Sequence, residues 1–326
     1  MPRKIEISHR TILFTLGILA VVWFIIQVRE ILFLLFVSLI LVSALHSPVS
    51  WLAKRKIPRP LSIIVFYLLI FTMFIGGLAL LIPPFIEQTK IIVSNTPFFL
   101  GAANQFFLYQ LPIEEIIKSL SSNVNVFGSN IFRYTLGFFG NIITLVSIFV
   151  FTFYLLLRWD NLGKLLSAGF ASEERISRLL NRIEIGLGNW VRGEFLLMVI
   201  IGVMSYIGLT LLGVPSALPL AIAAGILEIV PIIGPIISAI PAVLVALAVS
   251  PLLALATVAL YFVIQQLENN LIVPKVMERA VGIDPLGTIL ALMIGANLMG
   301  MLGAFLAVPF VVLAKIIIID FYQHRK

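Results

Sequence analysis

The sequence predicts an all-α polytopic membrane protein, and three observations carry that prediction. Hydrophobic residues make up 61% of the 326 residues and charged residues 11%, against roughly 25% charged in an ordinary soluble domain. The apolar residues gather in runs close to or above the ~20 that a helix needs to cross the hydrocarbon layer. The basic residues collect in the segments that alternating spans would place on one side of a membrane.

Six full spans are expected, at residues 11–28, 31–53, 61–81, 134–157, 195–212 and 252–267. The first resembles a secretory signal in that Arg3, Lys4 and Arg10 precede its apolar core. No small-x-small cleavage pattern follows, however, and a second long span begins just beyond Gln27-Val28-Arg29-Glu30, so it reads as a retained signal anchor. Two further apolar regions, 219–249 and 285–319, are long but interrupted by Gly and Pro, and are expected to form re-entrant or short-helix hairpins. The expected organisation is three N-terminal helices (1–83), an extracytoplasmic interfacial segment (84–132), a further membrane helix (133–157), a cytoplasmic amphipathic helix (158–192) and a transport core of two span-plus-hairpin units (193–326).

The segment 84–132 opens at Pro83-Pro84 and carries Phe98, Phe99, Phe106, Phe107 and Tyr109 among polar residues. Such composition suits helices at the membrane surface, and a packed cap without a ligand explains it most simply. In the stretch 158–192, Ser172 is placed to cap a helix whose first turn holds Glu173 and Glu174. Ile176, Leu179, Leu180, Ile183 and Leu187 then recur at helical spacing, leaving a basic face for solvent or anionic lipid.

A net charge of +7 would suggest nucleic acid in a soluble protein, so the placement of the charges decides. With a cytoplasmic N-terminus and alternating spans, every Lys and Arg falls on the inner side except Arg29, Lys90, Lys118 and Arg133. The basicity is therefore assigned to membrane orientation, with both termini cytoplasmic in a cell (inner) membrane and no nucleic-acid partner. The chain has no cysteine, which excludes disulfides and thiolate metal sites, and neither a metal nor a cofactor is expected.

The C-terminal half carries a weak internal repeat: Pro219-Leu220, Gly225 and Pro241-Ala242-Val243-Leu244 align with Pro285-Leu286, Gly295 and Pro309-Phe310-Val311-Val312-Leu313. Each region follows one ordinary span, and the two spans run in opposite directions. Inverted repeats with broken helices are a recurrent transporter architecture.

Within the first broken region, Glu228 stands in Gly-Ile-Leu-Glu-Ile-Val-Pro-Ile-Ile-Gly-Pro. Pro231 and Pro235 each remove an amide donor and Gly234 permits a turn. Carbonyls freed there would suit a cation or a polyol. Removal from water favours the neutral form of a carboxyl, so Glu228 is the candidate for coupling proton movement to transport, ahead of a purely architectural role. A second constellation is Gln265, Gln266, Glu268, Asn269 and Asn270. Helical spacing puts Gln265, Glu268 and Asn269 on one face and Gln266 with Asn270 on the next. Lining a vestibule for a small polar solute and merely ending a helix at the interface are balanced explanations of it. In the second broken region, Gly295, Gly300, Gly303 and Ala307 point to close helix packing, and Asn297 remains as a pathway candidate. Arg192-Gly193-Glu194 opens the fifth span, where an interfacial salt bridge or headgroup contact is expected.

These residues resemble the autoinducer-2 exporter family. The resemblance is carried by Leu227 through Pro235, by Glu268-Asn269-Asn270 with Val273-Pro274-Lys275-Val276-Met277, and by Gly282 through Pro285 with Ala307-Val308-Pro309. Phe153-Tyr154-Leu155-Leu156 before Asp160, and Arg192-Gly193, add to it. The family pattern has an aromatic after the first proline of the Glu-Ile-Val-Pro segment and a glutamine after Arg-Gly; here stand Ile232 and Glu194. The resemblance implies a transporter that exports a furanone-type signal or exchanges sodium or lithium for protons, and a homo-oligomer with the pentamer as candidate.

Transport is thus the leading expectation: export of a small polar metabolite, ion-coupled through Glu228, with cation/proton antiport as the alternative. An intramembrane hydrolase is disfavoured, since histidine occurs only at positions 9, 46 and 324, no His-Glu-x-x-His helix is present and no second buried acid is expected beside Glu228. A membrane scaffold that moves nothing is the alternative from another class.

Overall fold

The computed structural model describes residues 9–73, 75–76, 142–167, 172–229, 233–282 and 285–323. Among them every regular element is helical, as the composition requires, because within lipid only a helix satisfies its own backbone without a closed sheet. The helices are α1 (His9–Gln27), α2 (Arg29–Lys54), α3 (Arg59–Met73), α4 (Ile142–Arg158), the short α5 (Leu162–Ser167), α6 (Glu173–Leu211), α7 (Ala217–Leu227), α8 (Ile233–Val249), α9 (Pro251–Leu267), α10 (Val273–Val281) and α11 (Pro285–Gln323). The interfacial segment 84–132 with its aromatic residues lies outside the described residues.

Among the described residues, five helices are long and apolar enough to cross a membrane: Arg29–Lys54, Ile143–Ser167, Glu173–Leu211, Pro251–Met277 and Leu302–Gln323. Four of them correspond to expected full spans. The fifth lies largely in what the sequence presents as an interrupted region, so the second arm of that hairpin has spanning length by itself. The expected spans at 11–28 and 61–81 appear in part, as apolar helices Leu13–Gln27 and Arg59–Met73.

A further difference concerns 158–192, which does not form a separate surface helix. Its described residues form a short turn, α5 and, from Glu173, the 39-residue α6, which runs unbroken into the next span. Ser172 does stand at the N-cap, but its side chain makes no capping bond; its carbonyl accepts from the amides of Arg175 and Ile176 instead. Nothing breaks the helix at 193 because the buried stripe is continuous: Ile183, Leu187, Trp190, Glu194, Leu197, Ile201, Ser205 and Gly208 follow one another at three- and four-residue steps.

That stripe makes α6 the pillar of the fold, packed against α2, α5, α7, α9, α10 and α11. Its first half shares a core with α2 and the end of α11 through Ile40, Ile183, Leu187, Trp190, Leu306 and Val312. Its second half joins α7, α8 and α9 through Ile201, Leu209, Leu220, Ala224, Val245, Tyr261 and Ile264. A third core, around Val42, Val49, Ile63 and Leu156, holds α2, α3 and α4 together.

At the end of the bundle rich in basic residues, polar side chains fasten these cores. His46 Nδ1 lies 2.6 Å from Glu184 Oε1, Trp159 Nε1 donates to Glu184 Oε2 at 2.7 Å, and Arg59 pairs with Asp160. Arg175 holds the buried Asp320 at 3.1 Å, and Arg182 donates to Gln323 at 3.0 Å. These contacts tie the start of α6 to α2, α3, the end of α4 and the end of α11.

The broken regions are helix–break–helix hairpins. α7 ends at Leu227, with Glu228 at its C-cap still in right-handed helical conformation, and α8 starts at Ile233. Inside α11, Met299 (φ −137°) and Gly300 (φ 61°, ψ −141°) turn the chain back; that conformation is open to glycine and closed to residues with a Cβ. The two arms then touch at Gly295 and Gly303, where a Cβ on either would overlap the carbonyl oxygen of the other. The expected packing role of these glycines is borne out.

A methyl group at Gly303 would press on the Gly295 carbonyl and on Met299 Cβ, neither of which can rotate away. Gly303→Ala should therefore destabilise the detergent-solubilised protein by about 1–3 kcal/mol, read as a lowered melting temperature. Gly17→Ala, in open space, should leave the melt unchanged, and equal melting of the two variants would contradict the hairpin contact.

Candidate functional site: a buried cluster of carboxyls

The site is built by the contact between α6 and α7. A Cβ on Gly225 would stand 2.7 Å from the Met198 carbonyl oxygen and 3.3 Å from Gly202 Cα, so the backbones of the two helices meet there with nothing between them. The helices run antiparallel, since Gly202 also faces the Ala221 carbonyl. One turn beyond Met198 on α6 is Glu194; one turn beyond Gly225 on α7 is Glu228. The same glycine contact that packs the helices therefore brings these two acids to one level.

The third acid comes from the end of α9. Ala254, Thr257, Tyr261, Ile264 and Glu268 form its buried stripe, which ends where the helix widens into a π-turn over Glu268–Ile272. Such turns recur at functional sites. Glu268 faces Glu228 at hydrogen-bonding reach, Glu228 feels the charges of Glu268 and Glu194, and Glu194 feels that of Glu268. Glu228, Glu268 and Glu194 are 1%, 2% and 5% exposed. Glu228 Oε2, Glu268 Oε2 and Glu194 Oε1 are buried with no hydrogen-bond partner, and no Lys, Arg or His forms an ion pair with any of the three among the described residues.

Of the candidates drawn from the sequence, Glu228 and Glu268 are thus brought together, and Gln265 stands half-buried beside the Glu268 carboxyl. Gly234 and Pro235 are buried at the start of α8. The role of Gly234 is close approach: a Cβ there would overlap the Leu227 carbonyl, so α8 begins directly against the end of α7, under Glu228. Pro235 leaves its carbonyl to accept from the Ser238 hydroxyl at 3.0 Å. Pro231 lies outside the described residues. Gln266, Asn269, Asn270 and Asn297 are exposed. The polar patch is therefore split, with Glu268 turned inward and its neighbours outward; the Asn269 carbonyl accepts from Gln265 at 3.4 Å, and the Asn270 amide donates to the Gln266 carbonyl in the π-turn.

Two expectations are corrected. A second and a third acid do stand near Glu228, because the stripes of α6 and α9 converge on the α7–α8 break. Glu194 is not at the interface; it occupies a stripe position on α6 and points inward, while Arg192 is exposed and bonds Asn189. The stripe spacing through Glu194 was the signal that would have found it. Further along the same faces, Ser205 on α6 and Tyr261 on α9 are buried hydroxyls without partners, so the polar line continues into the four-helix core. No cluster of three His, Asp or Glu side chains fit to hold a metal occurs among the described residues.

The fold and this site define a multi-pass α-helical membrane protein with acids enclosed in its helical core. The model of the family described as AI-2E family transporter matches residues 12–323, and the chain belongs to that family. Among its relatives, YueF of Bacillus subtilis, named as a transport protein, is 32% identical over 86% of this chain and 82% of its own. YrrI of the same organism, also named as a transport protein, is 28% identical over 88% and 85%. The sodium-lithium/proton antiporter of Halobacillus andaensis is 26% identical over 94% of both chains.

The convergence can be checked without any transport assay, since the chain lacks cysteine. Glu194→Cys/Glu228→Cys should be joined by a short bifunctional thiol reagent, seen as a linked peptide by mass spectrometry. Glu228→Cys/Gln266→Cys, with position 266 turned outward, should react at each thiol and stay unlinked. The reverse pattern would contradict the site.

Proposed function

We propose that the protein is a secondary transporter in which the Glu228–Glu268 pair exchanges a proton for a monovalent cation. The observation that carries this reading is the burial of both carboxyls against each other with no basic partner among the described residues. An ionised carboxylate removed from water without a counter-charge costs at least several kcal/mol, so the pair must hold something positive. A proton and a small cation are the two things that fit a closed space of this kind, and competition between them for the same oxygens is antiport. The name of the Halobacillus relative agrees with this chemistry.

Export of a small polar metabolite is the second reading, favoured by the amide row Gln266, Asn269 and Asn270 beside the site. Its support is weaker, because those amides face away from the acids. The orientation supported by the basic residues puts the start of α6 in the cytoplasm. At about 1.5 Å per residue, Glu194 then lies some 25 Å along α6 from its outer end at Leu211, toward the cytoplasmic side of a layer about 30 Å thick. The lipid bilayer is the constant partner in either reading, and the self-associated state is proposed from the family resemblance alone.

Proteoliposomes loaded with a pH-sensitive dye should show proton movement on addition of Na⁺ or Li⁺ without any organic solute, and Glu228→Gln should reduce it at least tenfold, consistent with the loss of an essential exchange group. Flux of a signal-type organic solute with no cation-dependent proton movement would favour export, and transport untouched by Glu228→Gln at every pH would reduce that residue to architecture.

A further inference from the structure

Glu194 has no task in a two-carboxyl exchange site, yet the fold places it there at full cost. It is 5% exposed, Oε1 has no hydrogen-bond partner among the described residues, its charge acts on Glu228, and that of Glu268 acts on it. Trp190 and Leu197 flank it on the same stripe of α6, both 3% exposed. Its nearest basic neighbour in sequence, Arg192, is exposed and engaged with Asn189, so it offers no counter-charge. Among the described residues, the charged groups that act on or are acted on by Glu194 are Glu228 at the end of α7 and Glu268 at the end of α9, both acids, while Lys275 of α10, which also packs on α6, is exposed. An apolar side chain at 194 would complete the stripe without penalty; an acid there has an electrostatic consequence and no packing one.

Resting on the antiport reading above, we propose that Glu194 is the third member of the exchange site, whose negative charge sets the cation affinity of the Glu228–Glu268 pair and the pH range in which that pair exchanges. It is a tuning residue rather than the exchanging group. The sign follows from Coulomb's law. A nearby negative charge stabilises any positive occupant of the pair, whether a proton or a cation. Removing it lets the pair release its proton at lower pH and hold the cation less tightly once the proton has left. A neighbouring buried charge of this kind is expected to move the titration of the pair by about one pH unit, a tenfold change in affinity, equivalent to about 1.4 kcal/mol.

The test compares wild type, Glu194→Gln, Glu194→Asp and Glu228→Gln in proteoliposomes, with Na⁺ as the probe and entrapped dye as readout, across pH. Glu194→Gln, the neutral isostere, should keep exchange, shift the acid limb of the pH profile downward by about one unit, and raise the half-saturating Na⁺ concentration on the alkaline side about tenfold. Glu194→Asp, which retains the charge, should restore both toward wild type. A lower rate at all pH values with an unmoved profile and unmoved Na⁺ dependence in Glu194→Gln would overturn the proposal, as would an Asp variant that behaves like Gln. If Glu194→Gln fails to assemble, Glu194→Asp alone decides: a wild-type pH limb upholds the role of the charge, and a limb displaced as far as a full unit overturns it. Wild-type vesicles without Na⁺-dependent proton movement, or exchange unaffected by Glu228→Gln, would overturn the antiport reading itself and this inference with it.

Discussion

The cost of an unneutralised carboxylate in an apolar interior is the constraint on which the structure turns. A domain's net stability is about 5–15 kcal/mol, and one isolated buried charge consumes several of these. Three carboxyls enclosed by α6, α7 and α9, with no basic side chain among the described residues paired to them, cannot all be ionised in an empty site. Their neutralisation is therefore part of the folded state. On the exchange proposed above, binding at this site would be coupled to stability by the same energies.

The cluster is specified by packing. Each acid sits at the next regular position of its helix's buried stripe: after Trp190 on α6, after Ala224 on α7, after Ile264 on α9. Gly202 and Gly225 fix the height of α7 on α6, and Gly234 lets α8 start against the last carbonyls of α7. The polar network around His46, Glu184, Trp159 and Arg59 holds the lower part of α6 against α2 and α4, so the pillar that carries Glu194 is anchored independently of the site. Side-chain volume matters at these glycines because their neighbours are backbone, which does not rotate out of the way.

Much of this was legible in the chain. Composition and run length sufficed for the helical membrane class, because hydropathy acts on each segment separately. Glu228 was legible because a lone acid beside Pro and Gly in apolar sequence has few cheap explanations. Glu268 was recognised as polar, but the inward turn that separates it from Asn269 depends on the π-turn, which no local pattern announces. Glu194 is not legible as a buried acid because Arg192-Gly193-Glu194, at the expected opening of a span, reads as an interfacial group. The stripe from Ile183 to Gly208 ignores that boundary. Likewise the length of the second arm of α11 was hidden by Gly295, Gly300 and Gly303, which read as interruptions, whereas only Gly300 reverses the chain.

A site this closed exchanges nothing while its walls stay put. The acids are sealed by α6 on one side and by the α7–α8 junction and the π-turn of α9 on the others. α6 is continuous over 39 residues and enters two of the three cores, so moving it would disturb most of the packing. α7 has 11 residues, about 16 Å of helix, too short to cross the membrane, and it ends at the break that carries Glu228. Its contact with α6 runs through glycines, which present a smooth backbone surface rather than interlocking side chains. The wall of least resistance is therefore the α7–α8 hairpin. It is the wall that bears the acid whose charge would change on exchange, and the occupancy of Glu228 and the position of that hairpin are energetically one variable.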